Sequence, residues 1–441
     1  MKGRSGLVGV VVGVVIVACG SSRSGYDSAS GGAGNPNGSS GGFADSGADP
    51  ASGAKPAVVG WLHGKVVAPE GTVPVSNAMV YLTSRDVDVI PGGAYCDTCV
   101  HLTPLEPYAY TKADGTFELG AYATGNQHIV VQKGQFRRVR DVTVATGDQN
   151  VPADDTRLPG KNDAAAGDTI PKIAMVVGGY DHIDVSMDKL GIKEFYRYGD
   201  GPIDIGGPPP GTKTGKTGND LLNSGTELSG YHITLMPCAA MGASEDDMTN
   251  EWTCGAPTAA QKTALSQYVD AGGKVYVTDF AYEAVRQTWP GFITFYDRYD
   301  MPLTGTTNGV GTGCRGGAED TPGTAQDKDL GAWLTAIGDS DVTLQASWSR
   351  IQKVTPQPGF DATGNPVTIT PKVWMTSDVG GGQILPATVS FQQRCGRVLF
   401  STYHCEGDTS GGLLAQEKAL LYILLEVGVC VGELPPPPPP R

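Results

Sequence analysis

Residues 401–408 read Ser-Thr-Tyr-His-Cys-Glu-Gly-Asp and place His404 two positions before Glu406, at the close of an apolar run. An imidazole with a nearby carboxylate can serve as a general base and its orienting acid, provided there is a nucleophile to activate. Other groups capable of chemistry also follow apolar runs. Tyr180, Asp181 and His182 come after the run at 172–177, and Asp279 closes the run at 274–279. If these runs are parallel strands, all of these groups collect at one sheet edge, where open α/β sheets bind their ligands. Tyr180, Asp181, His182, Asp279, His404 and Glu406 therefore define a candidate crevice for a polar ligand or a divalent metal. The plainer reading has them hydrogen-bonding loops together. The turn Thr278-Asp279-Phe280-Ala281 holds no Cys or Ser, so no catalytic residue, metal or cofactor is assigned.

The elements that must position these groups are legible. Runs at 172–177, 231–236, 274–279 and 397–403 are continuously apolar, as in strands of a sheet covered on both faces. Between them, Thr258 to Ala271 reads as a helix: Thr258 and Gln261 can form a capping box, Leu265, Tyr268 and Val269 share a face, and Gly272-Gly273 ends it. A last helix from about Leu413 to Val429 carries Glu417, Lys418 and Glu426 among its leucines, which suits packing and not a membrane span. Residues 171–431 thus read as a flavodoxin-like parallel α/β domain.

Residues 57–151 have a different texture. Ala78, Val80 and Leu82 alternate with Met79, Tyr81 and Thr83, and Asp114-Gly115 separates two further runs. Short alternating strands between turns indicate an all-β sandwich. Arg137, Arg138 and Arg140 read as a solvated strand face, with an acidic-ligand patch as the sharper alternative. A polar linker spans 152–170. The acidic stretch at 244–251 lacks the regular spacing of a calcium loop and reads as a solvated loop.

The ends of the chain bear on location. Lys2 and Arg4 precede an apolar stretch from Leu7 to Val17, then Ala18 and Cys19, the layout of an exported leader over residues 1–19. Residues 20–56 are dominated by Gly, Ser, Ala, Asp and Asn and read as a disordered tether. Residues 432–441 are a proline-rich tail. A net charge of −14 argues against nucleic acid as a partner.

There are nine cysteines. With Cys19 set aside for the leader, eight remain, and an even number in an exported chain reads as disulfides. Cys96 and Cys99, in Tyr-Cys-Asp-Thr-Cys-Val-His, stand alone in the first region and are expected to bridge locally; metal binding with His101, or redox chemistry, is the competing reading. Cys395 and Cys430 both belong at the edge opposite the crevice and are expected to pair. Cys238, Cys254, Cys314 and Cys405 allow three pairings, of which Cys238 with Cys254 and Cys314 with Cys405 is favoured.

Three resemblances extend this reading. Ile16-Val17-Ala18-Cys19 resembles the lipobox of bacterial lipoproteins, which implies lipid on Cys19. Gly64-Lys65-Val66, Pro74-Val75-Ser76-Asn77-Ala78 and Ala113-Asp114-Gly115-Thr116-Phe117 resemble the carboxypeptidase regulatory-like domain, a prealbumin-like β-sandwich, with 86–106 as an insertion. The order of runs from 171 to 431 resembles the class I glutamine amidotransferase-like fold, particularly its trehalose-utilisation-type branch. That resemblance implies a nucleophilic cysteine at the turn where this chain has Asp279. The expectation is a non-catalytic, lipid-anchored cell-envelope protein, most readily in the outer membrane, that binds carbohydrate or another envelope protein. The alternative is a carbohydrate-directed hydrolase or metal-dependent enzyme using Asp181, His182, Asp279, His404 and Glu406. A third reading is a purely structural surface component.

Overall fold

The computed structural model describes residues 56–199, 213, 215–246, 248, 249, 251–305, 312–315, 319–404, 411–427 and 430. The leader with Cys19, nearly all of the tether, Cys405, Glu406 and the proline-rich tail lie outside the described residues. No helix among the described residues is long and apolar enough to cross a membrane.

The first region consists of two facing sheets. Gly60–Lys65 pairs antiparallel with Thr116–Ala121 and parallel with Gly147–Asn150. The other sheet runs Tyr108–Tyr110, Met79–Thr83, Gly125–Lys133, Phe136–Val144, Asp168–Thr169. Leu62, Phe117 and Leu119 meet Val80, Leu82, Ile129 and Val131 in a common core, as the alternation of the sequence requires. The Asp114-Gly115 turn is present: Gly115 has φ +80°, and a Cβ there would stand 2.5 Å from the Val66 carbonyl oxygen, so only glycine fits.

Three expectations for this region need correction. Met79 and Tyr81 are buried instead of open to water, because Val87, Val100 and Leu102 of the inserted segment pack over them. The basic cluster is not a solvated face: Arg138 and Arg140 pair with Asp168 at 2.7 and 2.9 Å, and Arg137 is buried. Asp168 belongs to the segment read as a linker, which packs back on the sheets; Thr156 Oγ1 also donates to the Lys65 carbonyl at 2.7 Å.

The second region is built on a nine-stranded sheet. Five adjacent strands are parallel, in the spatial order Tyr196–Tyr198, Ile173–Val176, Ile233–Met236, Lys274–Thr278, Gly396–Ser401. Numbered along the chain this order is 2-1-3-4-5, a doubly wound pattern. Four of the five are the apolar runs of the sequence. The strand Tyr196–Tyr198 was hidden by its brevity and by Arg197. The stretch between Phe280 and Arg397 extends the sheet with antiparallel strands Ile384–Gln393, Lys372–Asp378, Glu319–Ala325 and Val342–Ser347. The helix Ala259–Asp270 has the expected Thr258/Gln261 capping box. The acidic stretch read as a loop begins and ends in strand, since Ala243–Asp246 pairs antiparallel with Glu251–Cys254.

The two regions are fastened together. The inserted segment 86–106 reaches the N-terminal edge of the parallel strands, and its cysteines bridge there: Cys96 with Cys395, and Cys99 with Cys430. The expected Cys96–Cys99 and Cys395–Cys430 bridges are therefore both wrong. Cys395 and Cys430 do lie at that edge, but each takes a cysteine of the insertion. Asp97, between those two cysteines, lies 3.7 Å from buried Lys274. His232 Nδ1 accepts from Lys172 N–H at 2.7 Å, and Nε2 lies 2.6 Å from the Pro91 carbonyl and 3.1 Å from Gly93 N. Gly272, φ +108°, permits the approach, because a Cβ there would fall 1.9 Å from the Tyr95 carbonyl oxygen. Away from this edge, Trp333 Nε1 donates to the Pro74 carbonyl at 2.8 Å, and Lys133 makes a buried ion pair with Glu426 of the last helix, Ala415–Val427.

Two outcomes follow. Replacing both Cys96 and Cys99 by alanine removes two bridges and should lower the unfolding free energy by more than the about 2–5 kcal/mol that loss of one costs in non-reducing denaturant titration; a local Cys96–Cys99 bridge found in the parent protein by peptide mapping would contradict the clamp. Burial lowers the pKa of His232 below its ordinary 6.5, so the folded state favours the neutral ring. Its contribution is then complete above pH 6.5 and is lost as pH falls through the depressed folded value. The melting temperature should fall on acidification below pH 6.5, and fall less in His232→Gln.

Candidate functional site

Three neighbouring parallel strands each deliver one side chain to a single point at their C-terminal edge. Cys238 lies two residues past Ile233–Met236, Asp279 directly follows Lys274–Thr278, and His404 lies three past Gly396–Ser401. One ligand-capable atom from each, the Cys238 sulfur, an Asp279 oxygen and a His404 nitrogen, lie within 4.8 Å of one another. Cys238 and Asp279 are 0% exposed and His404 2%.

Asp279 occupies a sharp strand-to-helix turn. Its φ is +44°, a left-handed conformation that Asp tolerates better than most residues, and it opens the short turn Asp279–Ala281 ahead of the helix Tyr282–Thr288. Its Oδ1 accepts from Ser349 N–H at 2.6 Å, and its Oδ2 from Trp348 N–H at 3.2 Å. Oδ2 also lies 3.0 Å from His404 Nε2. Burial raises the Asp279 carboxyl above the usual range, opposed by His404 and Ser349. The expected shared edge is realised as direct contact between Asp279 and His404, residues far apart along the chain.

Burial, and next the Asp279 charge, push the Cys238 thiol up to about 12, so it is a neutral thiol at physiological pH. This corrects a second pair of expected bridges: Cys254 bonds Cys314 across the small sheet of Glu251–Cys254 and Thr312–Cys314, and Cys238 is unbridged. Geometry explains the choice, because Cys254 and Cys314 stand on paired strands while Cys238 is turned into the core. Backbone packing against Cys238 is tight: a Cβ on Gly178 would fall 2.4 Å from its carbonyl oxygen.

The remaining crevice residues divide. Asp181 is buried and accepts from Thr278 Oγ1 at 2.6 Å, one residue before Asp279. Tyr180 is 37% exposed. His182 is exposed ahead of the helix Ile183–Lys189 and stands outside the buried group. Glu406 lies outside the described residues.

An aromatic wall was missed from sequence. Tyr180 packs on Trp252 and Trp348 with ring centroids 5.7 Å away, Trp252 and Trp348 are 5.5 Å apart, and Trp348 lies 5.8 Å from the His404 ring. Trp348 Nε1 is buried without a hydrogen-bond partner among the described residues. The available signal was two tryptophans set in polar surroundings, Glu-Trp-Thr and Ser-Trp-Ser. Chemically, the buried Cys-Asp-His group can share protons or hold a cation, while the aromatic wall can stack on a ligand.

No protein-family model matches the chain, and no curated protein matches it. Among solved structures, a protein from Thermoplasma acidophilum provisionally assigned as part of a GMP synthase is similar at 10% identity and TM-score 0.31, over 58% of this chain and 93% of that one. A ThuA-like protein from Bacteroides uniformis is similar at 11% identity and TM-score 0.32, over 58% and 91%. A family-42 β-galactosidase from G. stearothermophilus is similar at 10% identity and TM-score 0.25; the match spans 59% of this chain but only 30% of the enzyme.

Native protein should therefore leave Cys238 unmodified by iodoacetamide at pH 8, with alkylation only after unfolding, as read by peptide mass spectrometry. Rapid native alkylation of Cys238 would show that the buried group opens to solvent.

Proposed function

We propose that this chain is a lipid-anchored cell-envelope protein that binds a ligand, with carbohydrate the class its crevice suits best, and that it does not catalyse. In this reading residues 57–151 are a carboxypeptidase regulatory-like module and 171–431 an amidotransferase-like domain put to binding. The Ala18-Cys19 leader and the Gly/Ser-rich tether would hold both at the membrane, most readily the outer membrane, outside the cytoplasm.

The observation that carries the reading is Asp279. At the strand-to-helix turn where the resembled fold places its nucleophile, this chain has a fully buried carboxylate, with one oxygen held by Ser349 N–H and the other by Trp348 N–H and His404. A nucleophile must reach its substrate, and this group faces inward. What does reach the surface is aromatic. Tyr180, Trp252 and Trp348 offer a broad apolar contact of the kind that sugar rings stack on.

The test is a glycan panel titrated into the full mature chain, followed by tryptophan fluorescence and calorimetry, with hydrolysis products assayed in the same samples. Saturable binding without turnover is expected, weakened at least about tenfold in Trp252→Ala, with the melting temperature near that of the parent. Turnover of any glycan or amide that disappears in Cys238→Ser would overturn the reading in favour of an enzyme.

A further inference from the structure

Cys238, Asp279 and His404 form a buried polar group of their own, independent of what the crevice binds. Three polar side chains come together inside an apolar core that includes Met236, Val277, Phe280 and Phe400. Buried polar and ionisable groups cost free energy unless they are fully paired or coordinate a metal. Among the described residues this is the one group of three or more His, Cys, Asp or Glu whose ligand atoms lie so close.

We propose that Cys238, Asp279 and His404 form a binding site for one divalent cation of the zinc class, with a fourth position left to a water or a crevice ligand.

The donor set fits such an ion. Sulfur, imidazole nitrogen and carboxylate oxygen are the donors that zinc takes, and three protein ligands with an open fourth position is a common arrangement. In a tetrahedral site, adjacent N and O donors stand about 3.2–3.5 Å apart and S is slightly further. The 3.0 Å between Asp279 Oδ2 and His404 Nε2 is already near that spacing, and the Cys238 sulfur lies within 4.8 Å of both partners' ligand atoms. Charge also balances, since a thiolate and a carboxylate together neutralise a divalent ion and the imidazole stays neutral. When the ion binds, the thiol proton is released to solvent, and the proton shared between Asp279 Oδ2 and His404 Nε2 moves to Nδ1 of the neutral imidazole or is released with it.

Outer contacts are in place as well. Ser349 N–H holds Oδ1, and Trp348 N–H holds Oδ2 on the side facing His404, as carboxylate ligands are held in metal sites. The backbone carrying His404 is fixed by Gln416 Nε2, which donates to the His404 carbonyl at 3.0 Å. Each ligand follows a different parallel strand by one to three residues, so the sheet sets the spacing of the segments that carry them.

The experiment uses the full mature chain, stripped with a chelator and titrated with Co²⁺. One equivalent should bind, with a thiolate-to-cobalt charge-transfer band and the visible bands of a four-coordinate ion. Tryptophan emission should be quenched, since Trp348 lies 5.8 Å from the His404 ring. Cys238→Ser should lose the charge-transfer band and weaken binding by more than the roughly 10–100-fold that loss of an outer contact costs; circular dichroism and disulfide mapping establish that the variant is folded. No saturable uptake by the parent chain, or an unchanged cobalt spectrum in folded Cys238→Ser, would overturn the proposal. The parent titration decides the matter even if the variant fails to fold.

Discussion

Everything in this molecule depends on how the N-terminal edge of the parallel sheet is covered. Strand starts carry polar groups, here Lys274 and Arg397 with His232 just ahead of its strand, and all three are buried. Segment 86–106 supplies partners where water would otherwise be needed: Asp97 for Lys274 and the Pro91 carbonyl for His232. Arg397 is met from the other side, by the carbonyls of Glu426 and Cys430 at 3.2 Å. Burial still pushes the Lys274 ammonium down to about 8, so the cover is a compromise, with two disulfides holding it in place.

A covered base gives the opposite edge its geometry. Parallel strands in fixed register bring their ends to one level, so a covalent hold on one edge also limits motion at the other. Cys238, Asp279 and His404 are converged by strands, while Tyr180, Trp252 and Trp348 come from loops and a small hairpin above them. The result is a rigid polar point beneath an aromatic surface. These two layers ask different things of a ligand: the first suits a small charged species, the second the flat face of a larger one.

Much of this was legible in the sequence. Continuous apolar runs marked four of the five parallel strands, and the Thr258/Gln261 pair marked a helix start to the residue. The shared edge placed Asp279 and His404 together because parallel topology alone requires it. Disulfide partners were not legible, since proximity along the chain favours Cys96 with Cys99 and carries no information about which surface an insertion will cross. The same ignorance made Met79 and Tyr81 look half-exposed. Arg138 and Arg140 looked solvated because their partner, Asp168, sits in a stretch whose composition reads as a linker. Cys238 was assigned to a bridge on its edge alone; what set it apart was direction, inward and not toward Cys254, and that depends on the turn at Pro237.

The clamp also bears on how the chain is made. Ribosomes deliver Cys96 and Cys99 together, some 300 residues before Cys395 and more than 330 before Cys430. Throughout that interval the nearest available thiol for each is the other, and the bond they would form is absent from the finished protein. Oxidation that runs ahead of synthesis therefore yields a trapped isomer, and the native bridges then require thiol–disulfide exchange through a mixed intermediate. Only when the last helix has docked, bringing Cys430 beside the insertion, does the correct exchange become the favoured one. The two bridges thus join the first-made region of the fold to the last-made one.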